Sequence, residues 1–421
     1  MKELSIYLHI PFCVKKCLYC DFLSFPVLED TLQGNSRCYV NSNRKFKQEI
    51  TRNYVNLLCQ EITAFAPQYN KYRVISVFFG GGTPSLLSDG EISRIMETIR
   101  RHYRLAEDAE ITIEMNPDTV TEDKLREYQT AGINRISIGL QSADDKELVR
   151  IGRIHDYKTF EKAYVLARKI GFCNINIDLM AALPEQSVAS YERTLKNVAA
   201  LKPEHISAYS LTLEEGTPLY ERREEHCFPT EEEDREMYAL TGEYLASCGY
   251  HRYEISNYAQ YGCECRHNKV YWQRGNYVGF GLGASSMTEN VRWTNPADME
   301  QYRDYVERLS ECGSKVCGQG EDTLEKSAQS VQNAEVYGTG RHFLTVQEQM
   351  EEHMFLGLRM MRGVDEQVFA ERFGSDMDAV YGDIIARLCD DGLLIREQGH
   401  VRLTLRGIDV SNYVMAQFLF G

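Results

Sequence analysis

No run of apolar residues in this 421-residue chain is long enough to cross a bilayer, so membrane insertion is not expected. No secretory signal opens it, since Met1 to Leu4 lead directly into a strand-like run. Positive charge is scarce: 47 Lys and Arg stand against 62 Asp and Glu, for a formal net charge of −15. A nucleic-acid partner would want a basic face, and none is expected. Without an oxidising compartment, cysteines read as ligands or small buried hydrophobes rather than as disulfides. The expectation is a soluble, cytoplasmic protein. Its length exceeds one ordinary domain, which favours one large α/β unit and a smaller one.

What the chain does have is cysteine, thirteen in all. Three of them, Cys13, Cys17 and Cys20, form a CxxxCxxC loop within Tyr7 to Phe22. A loop this tight can present three thiolates to one cluster and cannot easily present four. Three thiolates on a cubane [4Fe–4S] cluster leave one iron open to an outside ligand. In S-adenosylmethionine (SAM) chemistry that open iron takes the amino and carboxylate groups of SAM. The alternative is a zinc site or three unrelated core thiols. Zinc wants a complete N/S tetrahedron, and the nearby extra donor is His9, on a strand-like run.

Strands and helices alternate over the first half. Leu4–Ile10 is a strand that delivers the cysteine loop. The polar stretch from Pro26 to Lys47 reads as an exposed loop, and Tyr54, Leu58, Ile62 and Phe65 mark a helix face. Val74–Phe79 is a strand ending in Gly80-Gly81-Gly82-Thr83-Pro84, with Ser88 and Glu91 placed as a capping box for the next helix. Further strands fall at Glu110–Asn116, Arg135–Leu140, Asn174–Leu179 and His205–Leu213, separated by helices, one capped by Thr121 and one ended by Gly171. Six strands in this pattern imply a parallel sheet closed or nearly closed into a partial (β/α)6 TIM-like barrel. This core spans residues 1–215. Residues 216–310 are an extension, acidic at first and then dense in aromatics and glycine without a clear period. Residues 311–345 read as linker or insertion. Residues 346–421 are a compact helical tail with a hairpin, winged-helix-like, with Ser375 expected as a helix cap.

The polar residues converge. Glu114 sits near the C-terminal end of the third strand, Gln141 closes the fourth, and Asp178 lies toward the end of the fifth. The GGGTP turn ends the second strand and the cysteine loop ends the first. Parallel barrels build their sites at that rim. A glycine turn lets backbone amides approach a zwitterion. Glu114 suits an amino group, Arg153 a carboxylate, and Asp178 ribose hydroxyls or adenine.

Together HIPFCVKKCLYCDF, GGGTPSLL, IEMNPDT, NRISIGLQS, GLQSADDKELVRIGRIH and HNKVYW resemble the radical SAM superfamily. The closer likeness is to the branch that holds oxygen-independent coproporphyrinogen III oxidases and heme chaperones, and it runs over most of the chain. It implies Cys13, Cys17 and Cys20 as cluster ligands. Tyr7, Tyr19, Gly81, Gly82, Thr83, Glu114, Gln141, Arg153 and Asp178 fall where the branch contacts SAM. His267 begins an HNxxYW signature of the heme-chaperone side, which implies heme as a ligand and heme-accepting proteins as partners; a homodimer is compatible with it. Imidazole is a good axial ligand, and Tyr271 and Trp272 could flank a porphyrin. Read without the resemblance, His267 is more simply a core histidine beside two packing aromatics, and Cys263 and Cys265 stand close enough in sequence to join it in a metal site. The favoured function is heme transfer; the rival is anaerobic decarboxylation of coproporphyrinogen III in porphyrin biosynthesis.

The resemblance also generates a test. The oxidases of the branch carry a further cysteine two residues after the third ligand, where this chain has Phe22, and a substantial segment ahead of the cluster loop, where this chain has twelve residues before Cys13. A reactive intermediate in so open a site would be quenched by solvent. In an anaerobic assay with reductant, SAM and coproporphyrinogen III, no decarboxylated porphyrin is expected by chromatography. Its accumulation over many turnovers would promote the enzyme over the chaperone.

Overall fold

The structure, a computed structural model, describes residues 1–26, 44–316 and 339–420. The stretches expected as a loop at Pro26–Lys47 and as a linker at Glu311–Gly340 lie largely outside these residues. All six expected strands are present: β1 (Lys2–Ile10), β2 (Tyr72–Gly81), β3 (Leu105–Met115), β4 (Arg135–Gln141), β5 (Ile175–Ala181) and β6 (His205–Ser210). Each pairs in parallel with the next. Helices α1 (Arg44–Phe65), α2 (Glu91–His102), α3 (Glu122–Thr130), α4 (Asp145–Arg150), α5 (Tyr157–Ile170) and α6 (Val188–Ala200) make the crossovers. This is the α/β radical SAM partial barrel that the sequence predicts.

The extension at 216–310 is not a unit of its own. After α7 (Glu231–Ser247), its strands β7 (His251–Glu254) and β8 (Asn257–Ala259) add antiparallel to the β6 edge. After α8 (Arg266–Trp272), β9 (Tyr277–Phe280) pairs in parallel with β1. It is followed by antiparallel β10 (Ser285–Thr288) and β11 (Val291–Thr294), then α9 (Met299–Val316) and β12 (Thr339–Phe343). The sheet thus runs β12-β11-β10-β9-β1-β2-β3-β4-β5-β6-β8-β7, twelve strands with two open ends. Strands of three or four residues carry too few alternations to show a period, which is why this stretch reads as irregular in sequence.

Period 2 decides what the barrel holds. Ile111, Ile113 and Met115 of β3 belong to the main apolar core. The alternate residues face the lumen, and they are polar: Ser137 and Gln141 on β4, Asn176 and Asp178 on β5, Ser207 and Tyr209 on β6 all line one cavity. The C-terminal unit has a separate core around Met354, Phe369, Tyr381, Leu388 and Val401. It comprises α10 (Val346–Gly357), α11 (Glu366–Phe373), α12 (Met377–Asp390) and a small sheet of β13 (Val364–Asp365), β14 (Leu394–Glu397) and β15 (His400–Leu403).

Two expected caps do not form. Gly90, not Ser88, stands at the N-cap of α2, and Glu91 instead faces Arg94 and Arg52 at 3.4 and 3.5 Å. Asp376, not Ser375, precedes α12, without a side-chain cap. Thr121 does cap α3, accepting from the Lys124 amide at 3.3 Å, and Gly171 ends α5 in the left-handed region. Among the described residues no helix is long and apolar enough to cross a membrane, and the ten described cysteines are free thiols.

One buried carboxylate ties the β9 edge to α1. Glu61 is fully buried and accepts from the Gly281 amide (2.8 Å), Asn295 Nδ2 (2.6 Å) and the Tyr302 hydroxyl (2.7 Å). Burial pushes its pKa up to about 7 against those three donors. A raised carboxyl favours the folded state fully below the unfolded pKa and loses that contribution as pH rises through about 7. Denaturation at several pH values should show the wild type losing roughly 2–4 kcal/mol relative to Glu61→Gln between pH 5 and 8. A pH-independent difference would mean that Glu61 folds already ionised.

Candidate functional site

The cysteine loop is pinned at both ends. Phe12-Cys13 pairs in parallel with Phe25-Pro26. The Leu18 amide donates to the Ile151 carbonyl at 3.1 Å, and the Leu18 carbonyl accepts from the Leu219 amide at 2.9 Å. Cys13 is buried; Cys17 and Cys20 are half-buried. Burial pushes the Cys13 thiol up and that of Cys20 up to about 11. Among the described residues no three His, Cys, Asp or Glu side chains are spaced for a single metal ion. Cys263, Cys265 and His267 therefore do not form one. The loop thiols are no exception, and a cubane, bound one thiolate per iron, does not ask them to converge on one point.

The glycine turn supports the cysteine loop. Its amides already have partners: Gly81 donates to Glu114 Oε2 (3.2 Å), Gly82 to the Ile10 carbonyl (2.8 Å) and Thr83 to the Phe12 carbonyl (2.7 Å). What the turn needs is the missing Cβ. At Gly82 a Cβ would stand 2.7 Å from the Phe12 oxygen and 3.0 Å from Cys13 Sγ. At Gly81, with φ of +107°, it would meet the His9 ring at 2.6 Å. The turn thus cradles the cysteine loop. Thr83 lies 3.7 Å from Cys13 Sγ and accepts from Asn116 Nδ2 at 3.1 Å.

Glu114, Gln141 and Asp178 come together as expected, in a cavity of about 780 Å³ that Tyr7, Tyr19 and Cys20 also line. Burial, then the neighbouring Asp178, raise the Glu114 carboxyl to about 8. Burial raises Asp178 against hydrogen bonds from Asn176 (2.7 Å) and Ser137 (3.2 Å). Gln141 sits at φ +74° where the ladder shifts register, an uncommon conformation that aims its side chain into the cavity. Arg153 stands apart from the lining: its Nη1 is 3.5 Å from Cys17 Sγ and its Nη2 donates to the Gly139 carbonyl. It sits against the cluster loop. Tyr19 packs on Ile151, Met180 and Leu183, and burial holds its hydroxyl protonated.

The HNKVYW segment forms α8, which borders the same cavity through His267, Asn268 and Tyr271. Glu110 holds its first turn, accepting from the amides of Arg266 (3.0 Å) and His267 (3.1 Å). The His267 ring stacks on Phe78, centroids 5.0 Å apart. Its Nδ1 bonds Ser76 Oγ (2.9 Å) and its Nε2 the Tyr271 hydroxyl (3.0 Å). Burial and the Arg135 cation press its pKa down to about 3, so the imidazole is neutral. Trp272 does not flank the cavity. It lies under the Arg359 guanidinium of the C-terminal unit, 4.3 Å from the ring centroid. Sequence reasoning passed over Ser76, Glu110 and Arg135; the first two hold His267 in place, and Arg135 lines the cavity. Their parity with Phe78, Glu114 and Ser137 was the signal that could have shown them facing inward.

Fold and loop together define a radical SAM barrel with a C-terminal accessory domain. The family model described as the radical SAM superfamily matches residues 7–223, and that of the HemN C-terminal domain matches residues 344–410. The chain is 33% identical over 419 residues to a heme chaperone HemW of Bacillus subtilis, covering 99% of both proteins. It is 38% identical over 285 residues to that of Escherichia coli, covering 68% of this chain and 70% of the relative. The chain belongs to the HemW family within the radical SAM superfamily. In fold it is similar to the coproporphyrinogen III oxidase HemN of E. coli, with a TM-score of 0.77 and 23% identity over 99% of this chain and 90% of the other. Membership of the superfamily implies a [4Fe–4S] cluster and SAM.

The cradle at Gly82 yields a test on the unloaded chain. Gly82→Ala should push the Cys13 strand away, speeding maleimide labelling of Cys13 and lowering iron uptake on reconstitution. Gly382→Ala, inside α12 with no atom nearer than 3.6 Å, is the control. Labelling and uptake unchanged in Gly82→Ala would show that the loop gives way without cost.

Proposed function

We propose that this protein is a heme chaperone of the HemW type, which holds heme beside a cluster and SAM and passes the heme to acceptor hemoproteins. The observation that carries the reading is one cavity bounded by the cysteine loop, through Tyr19 and Cys20, and by the HNKVYW helix, through His267 and Tyr271. In this reading Cys13, Cys17 and Cys20 bind the cluster. Tyr7, Tyr19, Gly81, Gly82, Thr83, Glu114, Gln141, Arg153 and Asp178 form the SAM end. When bound, the cluster and SAM supply one-electron chemistry.

The chain's own groups suit these tasks. Glu114, raised by burial, gains its missing counter-charge from an ammonium group. Asp178 offers its carboxyl to hydroxyls, as it already does to Ser137 and Tyr209. Arg153 places a cation beside the sulfur of Cys17. His267 is neutral, the form that ligates a metal. With the Nδ1 proton on Ser76, Nε2 presents a lone pair that Tyr271 now occupies. His267 Nε2 is the atom that would hold heme iron, and the Tyr271 hydroxyl is the group that would have to release it.

The test is a heme titration of anaerobically reconstituted protein, followed at the Soret band. His267→Ala should shift or weaken the band. Tyr271→Phe should keep the wild-type spectrum and bind about two- to tenfold tighter, because one hydrogen bond no longer competes with iron. A His267→Ala spectrum and affinity equal to wild type would move the axial ligand elsewhere. Heme that fails to bind the wild type would overturn the chaperone reading.

A further inference from the structure

The lumen contains a cation without a partner. Arg135 opens β4 and is only 2% exposed. Among the described residues it makes no hydrogen bond and no ion pair, and its Nε is buried without a partner. Other buried arginines are held: Arg274 by Glu352 (2.9 Å) and Asn290 (2.8 Å), Arg153 by Cys17 and Gly139. Arg135 shares the lumen-facing parity of Ser137 and Gln141, and with them it lines the cavity. Its Cα partner on β3 is Thr112. Thr112 is fully buried, and its hydroxyl also lacks a partner. The buried Arg135 Nε and the Thr112 hydroxyl, on neighbouring strands, lack the partners that buried polar groups ordinarily have.

The acids around them do not close the gap. Glu110 is engaged by the amides of Arg266 and His267, Glu114 by the amide of Gly81, and Asp178 by Asn176 and Ser137. None forms an ion pair with Arg135 among the described residues. Burial raises the Glu114 carboxyl to about 8, so this wall is less negative than a count of its acids suggests. These groups sustain the cation from a distance and leave its donors facing the cavity.

We propose that Arg135 and Thr112 form a carboxylate-binding subsite in the lumen that takes a propionate of the porphyrin. The proposal rests on the heme reading above. A guanidinium fork matches a carboxylate with two parallel hydrogen bonds, and the Thr112 hydroxyl can add a third. Arg135 lies close enough to His267 for its charge to act on that imidazole. A macrocycle ligated there brings its acid side chains into range. The carboxylate of SAM is another source of the same chemistry, since the Arg135 charge also acts on Glu114 and Asp178, and the SAM arm of the experiment separates the two.

The experiment titrates the reconstituted full-length protein with heme and with heme dimethyl ester, whose propionates are masked. The wild type should bind the ester about ten- to a hundredfold more weakly than heme. Arg135→Gln should weaken heme by a similar factor and leave the ester unchanged, the pattern of a shared interaction in a double cycle. Thr112→Val, which removes an unpartnered hydroxyl, should weaken heme binding in a folded chain even if Arg135→Gln does not fold. SAM affinity, by equilibrium dialysis, should be the same in wild type and variants. Equal binding of heme and ester by the wild type overturns the subsite while leaving the heme reading intact. Loss of SAM binding in the variants with heme binding intact overturns it in favour of the SAM carboxylate. Heme that does not bind the wild type at all overturns both readings.

Discussion

At the deep end of this barrel, where Arg135, Ser137 and Asn176 are 2%, 4% and 2% exposed, an inward-facing polar group has no bulk water to fall back on. A side chain there must pair with another or with a ligand. The interior obeys this with connected chains of hydrogen bonds. Ser5 bonds Ser76 at 2.7 Å, Ser76 bonds His267, and His267 bonds Tyr271. On the other wall Asn176 accepts from Ser207 and meets His205, which in turn meets Tyr253. Where the pairing stops, at Thr112 and Arg135, the lumen is incomplete by its own rule.

The same constraint explains why His267 is found as a neutral ring with both nitrogens occupied. Burial makes the imidazolium expensive, and the Arg135 cation adds to the cost. A neutral imidazole carries one donor and one acceptor, and the lumen supplies a hydroxyl for each. The bland reading of this residue, a satisfied core histidine, and the functional one, a metal ligand, are therefore not exclusive. The two hydroxyls that satisfy the ring also leave it neutral, the form that the proposed ligation requires.

The sequence made the barrel and most of the rim legible because both follow from local periodicity. Ile111, Ile113 and Met115 alternating with Thr112 and Glu114 fix which side of β3 faces the lumen, and the strand ends fix the rim. What escaped was set by long-range contacts. The Cα partner of Arg135 lies on another strand, and Glu110 meets Arg266 and His267 from the far end of the barrel domain. Nothing near Trp272 in sequence announces Arg359. The glycine turn's support of the cysteine loop also escaped, because spacing cannot show that Ile10, Phe12 and Glu114 take its amides. The strands from His251 to Thr294 were too short for their alternation to register.

The C-terminal unit takes its place from the same helix that carries His267. Glu110 fixes the N-terminal end of α8, and the C-terminal unit fixes the other. Arg359 covers Trp272, its carbonyl accepts from the Ile255 amide at 3.1 Å, and the Met361 amide donates to the Tyr253 carbonyl at 3.0 Å. Just past the helix, Arg274 and Glu352 form an ion pair in which both side chains are nearly fully buried, with Arg292 on the second oxygen. Removing one member of such a pair strands a charge in the interior, typically at about 3–5 kcal/mol. The C-terminal unit cannot therefore drift from the barrel while these contacts hold. Any motion of that unit reaches α8 through Trp272 and Arg274 before it reaches the cysteine loop. The end of the cavity nearest His267 is thus the end held directly by the C-terminal unit.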